Sequence, residues 1–244
     1  MDARQQRPGL VRRTTLACTV AALAACAAPG PGPVPGPETP VPVTPPAPVA
    51  PAPPPRLAGS SWYWLGTVTP AGLVTPADPG SFNLEFLDGG QLAAQVDCNS
   101  GSGTWRQDGS ALKIGPLATT RKMCPSGSDA QRFGVQLALV RSARLAAGLL
   151  ELELGEAGRM VLSRDPDGRL VSFACPNGAS PLLVAFGRDQ AVVRWNGRSW
   201  AMTQQPSASG TRYGSGNAIL FSKGNEATLV SGGRQVAGPC LSKR

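Results

Sequence analysis

The chain has 244 residues, a formal charge of +8 and no histidine. The missing histidine excludes Ser-His and Cys-His catalysis, His-ligated zinc and histidine-based pH switching. We therefore expect a protein that is not an enzyme and needs no metal or cofactor. The basic residues form no run and are not interleaved with aromatic residues, which argues against a nucleic-acid partner.

The N-terminal segment is typical of an export signal. Arg12-Arg13 precede the apolar or small residues 14–25, a charged region followed by a short apolar region. Spanning a bilayer takes about 20 residues, so this segment is too short for a transmembrane helix. Its end, Leu23-Ala24-Ala25-Cys26, resembles a bacterial lipobox. The resemblance implies that residues 1–25 are a signal peptide and that Cys26 is lipidated and anchors the protein in a membrane. Arg12-Arg13-Thr14-Thr15-Leu16 also loosely resembles a twin-arginine signal, and the general secretory route is preferred.

Residues 26–55 form a linker after the anchor cysteine. Residues 27–55 contain 14 of the 25 prolines of the chain. Such a segment cannot pack a core and favours the polyproline II conformation. At about 3.1 Å per residue it could reach roughly 90 Å, so we expect a spacer between the membrane and the folded part.

Four cysteines remain beyond the signal and the anchor: Cys98, Cys124, Cys175 and Cys240. An even number in an exported chain predicts two disulfides in an oxidising compartment. The sequence alone permits three pairings, and the spacings are not those of a zinc site.

Residues 56–164 are predicted to form a β-rich α+β module. Apolar or alternating runs predict strands at 62–68, 82–87, 92–96, 149–154 and 160–162. Asp88-Gly89-Gly90 is suited to a hairpin turn. One helical face gathers Ala130, Phe133, Leu137 and Val140. Ser128, followed three residues later by Gln131, predicts a capping box at the start of this helix.

The same residues carry motifs of a known family. They are Ala58-Gly59-Ser60-Ser61-Trp62, Asp97-Cys98-Asn99 with Gly103-Thr104-Trp105, and the run from Gly115 to Arg121 with Cys124-Pro125. Together they resemble a META (HslJ-like) domain. The resemblance implies a fold and an envelope context but no activity, and the ligand is unknown. We expect Cys98 and Cys124 to form a structural disulfide and Asn99 to cap the backbone.

Residues 165–244 are predicted to form a small antiparallel β-barrel. Strands are expected at 170–175, 182–186, 191–195, 200–203, 218–221 and 227–230, and no helical periodicity appears. Pro176-Asn177-Gly178 and Asn196-Gly197 favour hairpin turns with positive φ. A module of this size needs closure or a covalent staple. A Cys175–Cys240 bridge would tie its first strand to its last.

The second module resembles the MliC-type inhibitors of c-type lysozyme. The motifs are Phe173-Ala174-Cys175-Pro176-Asn177-Gly178, then Ser207 to Tyr213, then Phe221 to Ala227, and the late Cys240. The resemblance implies c-type lysozyme as partner, with Ser209 and Lys223 entering its cleft. Gly210, Gly224 and Tyr213 belong to the same binding motifs. A buried role is preferred for the Tyr213 ring, and the glycines would allow close approach.

Two other functions are compatible with these residues. The chain could be a structural or stress-response envelope lipoprotein without inhibitory activity. Alternatively, Ser209 and Lys223 could form the Ser-Lys dyad of a hydrolase, which requires a desolvated lysine and an oxyanion hole. An inhibitor is the preferred interpretation, located in the cell envelope and anchored in the outer membrane facing the periplasm.

Overall fold

The computed structural model describes residues 54–176 and 179–242. The signal peptide, Cys26 and the Asn177-Gly178 part of one predicted turn lie outside these residues. The described chain is β-rich, as predicted, with 18 strands and one α-helix. No helix among the described residues is long and apolar enough to cross a membrane. Every strand predicted from the sequence overlaps an observed one.

The first module contains ten strands and the helix. Their bounds are β1 Ser60–Thr69, β2 Gly72–Val74, β3 Phe82–Phe86, β4 Gln91–Val96, β5 Asn99–Asp108, β6 Ala111–Ile114, β7 Ala118–Thr119, α1 Ala130–Ala138, β8 Ser142–Ala146, β9 Leu149–Glu153 and β10 Arg159–Ser163. The sheet runs β2-β1-β3-β4-β5-β6-β8-β9-β10, and β1 also pairs with β10. The sheet therefore closes on itself, with β2 and β7 attached outside the ring.

The core of this module comes from alternate strand residues and one face of α1. The rings of Trp64, Phe82 and Phe133 lie with centroids 5.3–5.4 Å apart. Phe133 and Leu137 are buried as the helical pattern predicted, and Val140 is buried just beyond the helix. Large aromatic side chains supply much of the apolar burial that stabilises such a core.

The predicted capping box at this helix is wrong. The N-cap residue is Asp129, one position later than expected, and its side chain makes no capping hydrogen bond. The Ser128 hydroxyl instead accepts a hydrogen bond from the backbone N–H of Ala130 at 3.2 Å. A serine bonding two residues ahead stabilises a turn rather than the reciprocal box.

The second module is a closed barrel of eight antiparallel strands. Their bounds are β11 Arg169–Ala174, β12 Leu182–Phe186, β13 Gln190–Trp195, β14 Arg198–Gln205, β15 Thr211–Ser215, β16 Ala218–Lys223, β17 Glu226–Ser231 and β18 Arg234–Ser242. Asn196 and Gly197 have φ of 47° and 75°, as the predicted turn requires. The predicted boundary after residue 164 falls between β10 and β11.

Both predicted disulfides are present. Cys98 is bridged to Cys124 in the first module, and Cys175 to Cys240 in the second. Cys175 follows β11 directly, and Cys240 lies in β18, the strand that pairs with β11 to close the barrel. The second bridge therefore joins the first and last strands covalently.

The two modules share a buried apolar contact. Leu65, Leu149 and Val161 come from the first module. Leu170, Ala185 and Val192 of the barrel complete the same cluster. Since these six side chains are buried together, the modules pack against each other rather than being joined only by residues 164–168.

A buried carboxylate lies at this contact. The Glu151 side chain is fully buried in β9. It forms ion pairs with Arg144 and Arg159 of its own module and with Arg194 of the barrel. Burial lowers the pKa of Arg194 from its ordinary value, and the Glu151 carboxylate acts in the opposite direction. A buried charge is tolerated only when it is paired in this way.

Candidate partner-binding surface

The loop that carries Ser209 is pressed against the end of a neighbouring strand. The loop joins β14 to β15, and within it the Ser207 hydroxyl donates to the Ser209 carbonyl at 2.9 Å. Gly210 has φ of +68°. A Cβ on Gly210 would lie 2.5 Å from the Ser222 carbonyl oxygen and 3.1 Å from the Lys223 Cβ. Only glycine allows this approach.

Lys223 ends β16 at the same place. Thr211 faces Ser222 in the strand register, and its hydroxyl donates to the Ser222 carbonyl at 3.3 Å. The next residues outward on the two strands are Gly210 and Lys223. The structure therefore brings the two motifs together, with Gly210 beside Lys223, which follows it by 13 positions in the chain. We call the group Ser209, Gly210, Lys223 and Gly224 the Ser209–Lys223 surface.

The charged group on this surface is available to a partner. Ser209 and Lys223 are both exposed. Lys223 faces Glu226 across the β16–β17 turn. Among the described residues, however, no carboxylate lies within ion-pair distance of the Lys223 ammonium group. Gly224, in that turn, has φ of +60°, and the space that a Cβ would occupy there is open.

Tyr213 lies in the barrel core. It is only 4% exposed, and its ring centroid is 5.8 Å from that of Phe186. Burial excludes direct contact between this ring and a partner, so Tyr213 does not belong with the contact residues. It supports β15, the strand that follows the Ser209 loop.

The arrangement does not meet the requirements of a Ser-Lys hydrolase. A catalytic lysine of that kind is desolvated so that it can act as a base, whereas Lys223 is exposed. No cluster of candidate metal ligands occurs among the described residues. The chemistry offered by this surface is a hydroxyl and a cation that can bind acceptor groups.

Asn99, the polar residue beside the first disulfide, caps the backbone as predicted. Its Oδ1 accepts from the Lys122 N–H at 2.8 Å and from the Thr120 hydroxyl at 2.9 Å. Its Nδ2 donates to the Lys122 carbonyl at 3.1 Å. All polar atoms of the side chain are thereby used, so Asn99 holds the 120–124 segment rather than a ligand.

Glu151, Arg159 and Arg194 are not apparent as a group in the sequence. Glu151 and Arg159 lie on the paired strands β9 and β10, and Arg194 joins them only where the modules pack. One signal was present: Glu151 interrupts the apolar run Leu149-Leu150-Glu151-Leu152. A charge within such a strand indicates either an exposed face or a buried partner.

The fold and the surface define a class of protein: a small disulfide-closed β-barrel with an exposed serine and lysine, packed on a second β-rich module. Each of the two modules matches a known protein family. Residues 173–237 match the model of the membrane-bound lysozyme-inhibitor of c-type lysozyme, MliC, and residues 56–167 match the META domain. The chain thus carries a META domain followed by an MliC domain, in the order predicted.

One solved structure is similar to part of the chain. This is the NMR structure of a protein from Burkholderia xenovorans. It has a TM-score of 0.38 and 16% sequence identity, covering 44% of this chain and 82% of that one. A search of curated proteins found no match.

Proposed function

We propose that this protein is an envelope lipoprotein that binds and inhibits c-type lysozyme through the Ser209–Lys223 surface. One observation carries the proposal. Gly210 lies against the Ser222 carbonyl and beside the Lys223 Cβ, so Ser209, its neighbour in the chain, and Lys223 lie at one end of the barrel.

The chemistry of the target suits these two groups. Lysozyme acts with one protonated carboxylic acid and one ionised carboxylate in a cleft. The Lys223 ammonium would pair with the ionised group, and the Ser209 hydroxyl can hydrogen-bond to either. Filling the cleft with these side chains excludes the polysaccharide substrate. The protein itself performs no reaction.

Net charge works against long-range attraction. Residues 165–244 contain nine basic and four acidic residues. A basic lysozyme would therefore be repelled at a distance, which lowers the association rate without abolishing a close fit. Short-range contacts must supply the affinity.

A matched pair of glycine variants tests whether the packing of Gly210 positions the surface. Gly210→Ala and Gly224→Ala both place a Cβ at positive φ, but only the first brings it against Ser222 and Lys223. We expect Gly210→Ala to weaken inhibition of turbidity clearing by a c-type lysozyme far more than Gly224→Ala does. Equal effects would contradict this positioning role. A parent protein that inhibits no c-type lysozyme would favour the structural lipoprotein instead.

Anchoring to the outer membrane is the second part of the proposal. It rests on the lipobox-like Leu23-Ala24-Ala25-Cys26 and the proline-rich residues that follow. Two or more acyl chains give durable anchoring, at about 0.8 kcal/mol per buried methylene. Cys26→Ser should abolish palmitate labelling and release the protein from the membrane fraction or block its processing. Labelling that persists in Cys26→Ser would refute the anchor.

A further inference from the structure

Two large apolar side chains stand exposed on the barrel. Phe221 is 41% exposed and Leu241 is 49% exposed, and within the described part of the barrel no other large hydrophobic side chain is as exposed. Most of the other large apolar residues of the barrel point into the core or toward the first module, whereas Ile219 and Val230 are half-buried and belong to neither cluster.

Both exposed side chains lie beside the Ser209–Lys223 surface. Phe221 precedes Lys223 by two positions on β16, so the two side chains share the outward face of the strand. Leu241 faces Glu226, which in turn faces Lys223. Lys223, Glu226 and Leu241 thus form one row across three strands, and Phe221 lies in the adjacent row.

A cation accompanies the aromatic ring. Arg212 faces Phe221 across β15 and β16, and its guanidinium carbon lies 5.5 Å from the ring centroid. The Nε of Arg212 is buried and has no hydrogen-bond partner among the described residues. Arginine and exposed aromatic residues are both enriched at protein interfaces and at their strongest contacts.

We infer that Phe221, Leu241 and Arg212 form an apolar and cationic flank that docks on the wall of the lysozyme cleft. The inference rests on the proposed function and extends it. Enzyme clefts are lined mainly by apolar and aromatic side chains with a few polar groups. The flank would meet that lining while Lys223 reaches the carboxylate. It also supplies the short-range affinity that a basic inhibitor needs against a basic enzyme.

Serine substitutions test the flank. In the purified protein, Phe221→Ser and Leu241→Ser should each raise the inhibition constant for a c-type lysozyme about tenfold or more, as expected for a central interface residue. The control is Val135→Ser on α1, which removes an apolar side chain that is 57% exposed but lies in the other module. The control should inhibit like the parent, and thermal melting checks the fold of all three. Leu241→Ser reports on the flank even if Phe221→Ser does not fold.

Salt gives a second measurement. Apolar docking between two basic proteins predicts that inhibition by the parent persists or strengthens at high ionic strength, because salt screens the repulsion. The serine variants should lose the part of the affinity that resists salt, and a parent and variants with the same salt dependence would overturn the inference. If the Phe221→Ser and Leu241→Ser variants are folded and inhibit like the parent, the inference about the flank is overturned, but the proposed function is not. A parent that fails to inhibit at any salt concentration would refute both.

Discussion

Two charged residues of this chain are placed in opposite environments. Glu151 is fully buried where the modules meet and is surrounded by three arginines. Lys223 is exposed at one end of the barrel with no carboxylate of the described residues within ion-pair distance. The first charge is paired within the molecule, and under the proposed function the second pairs with a carboxylate of the partner. Stability and binding therefore depend on different residues, and substitutions should separate them.

A large effect on stability is expected at the buried charge. Glu151→Ala leaves Arg159 and Arg194 close together without their carboxylate. It should lower the free energy of unfolding by about 3 kcal/mol, the lower end for breaking a buried pair, because the arginines keep some solvent contact. Denaturant unfolding measures the change, and inhibition by the folded fraction should be unaltered. Arg188→Gln, which breaks the exposed Arg188–Asp167 pair, is the control and should cost less than about 1 kcal/mol.

Removing the Cys175–Cys240 disulfide should lower both the stability of the protein and its inhibition of lysozyme. Cys175→Ser with Cys240→Ser opens a loop of 65 residues and should cost about 2–5 kcal/mol of stability. The bridged strands are part of the ring that carries the Ser209–Lys223 surface, so inhibition near the melting temperature should fall in parallel. Inhibition that survives after the barrel has unfolded would show that the assay does not depend on this surface.

Lys223→Ala should weaken binding and leave stability unchanged, whereas Glu151→Ala should lower stability and leave binding unchanged. A cleft carboxylate left desolvated and unpaired typically costs about 2–5 kcal/mol of binding, or roughly 30-fold to several thousand-fold in affinity. Because Lys223 is exposed, the melting temperature should barely move. Titration calorimetry with lysozyme gives the affinity. A large drop in stability with unchanged affinity would reverse the roles assigned to the two charges.

Ser209→Ala is expected to have the smallest effect. It removes one hydrogen bond to a charged or acidic group, worth about 1.5–3 kcal/mol of binding. The Ser207 hydroxyl bonds the Ser209 carbonyl, so the loop does not need the Ser209 side chain. The folded double variant Ser209→Ala/Lys223→Ala should not inhibit measurably. If it inhibits as well as the parent, this surface is not the one that binds.

The sequence predicted the strands with clear apolar or alternating runs and missed the short strand β6 and strands such as β5 and β18, whose side chains are mostly small or polar. β5 contains glycine and serine at positions 100–103, a composition typical of a loop. Gly103 is required there because a Cβ would lie 2.9 Å from the Pro116 carbonyl oxygen. β18 contains Gly238-Pro239, which usually interrupts a strand. In both cases contacts distant in the chain override local propensity.

For the site, the sequence predicted individual residues but not their arrangement in space. Family motifs supplied Ser209 and Lys223, but their meeting depends on the register of β15 with β16, which spacing does not reveal. Tyr213 shares a motif with Ser209 and yet points inward, because strand side chains alternate between faces. Arg144 and Arg159 lie on the strands beside Glu151 in its own sheet, whereas Arg194 joins the cluster only because the modules pack against each other.

The order of strands round the barrel has a consequence for assembly. The first module packs on residues of β11, β12 and β13, and the Ser209–Lys223 surface lies at the ends of β15 and β16. In a ring of eight strands, β16 is four strands from β12 in either direction. Under the proposed function, lysozyme bound at β15 and β16 would therefore not require the barrel to separate from the first module.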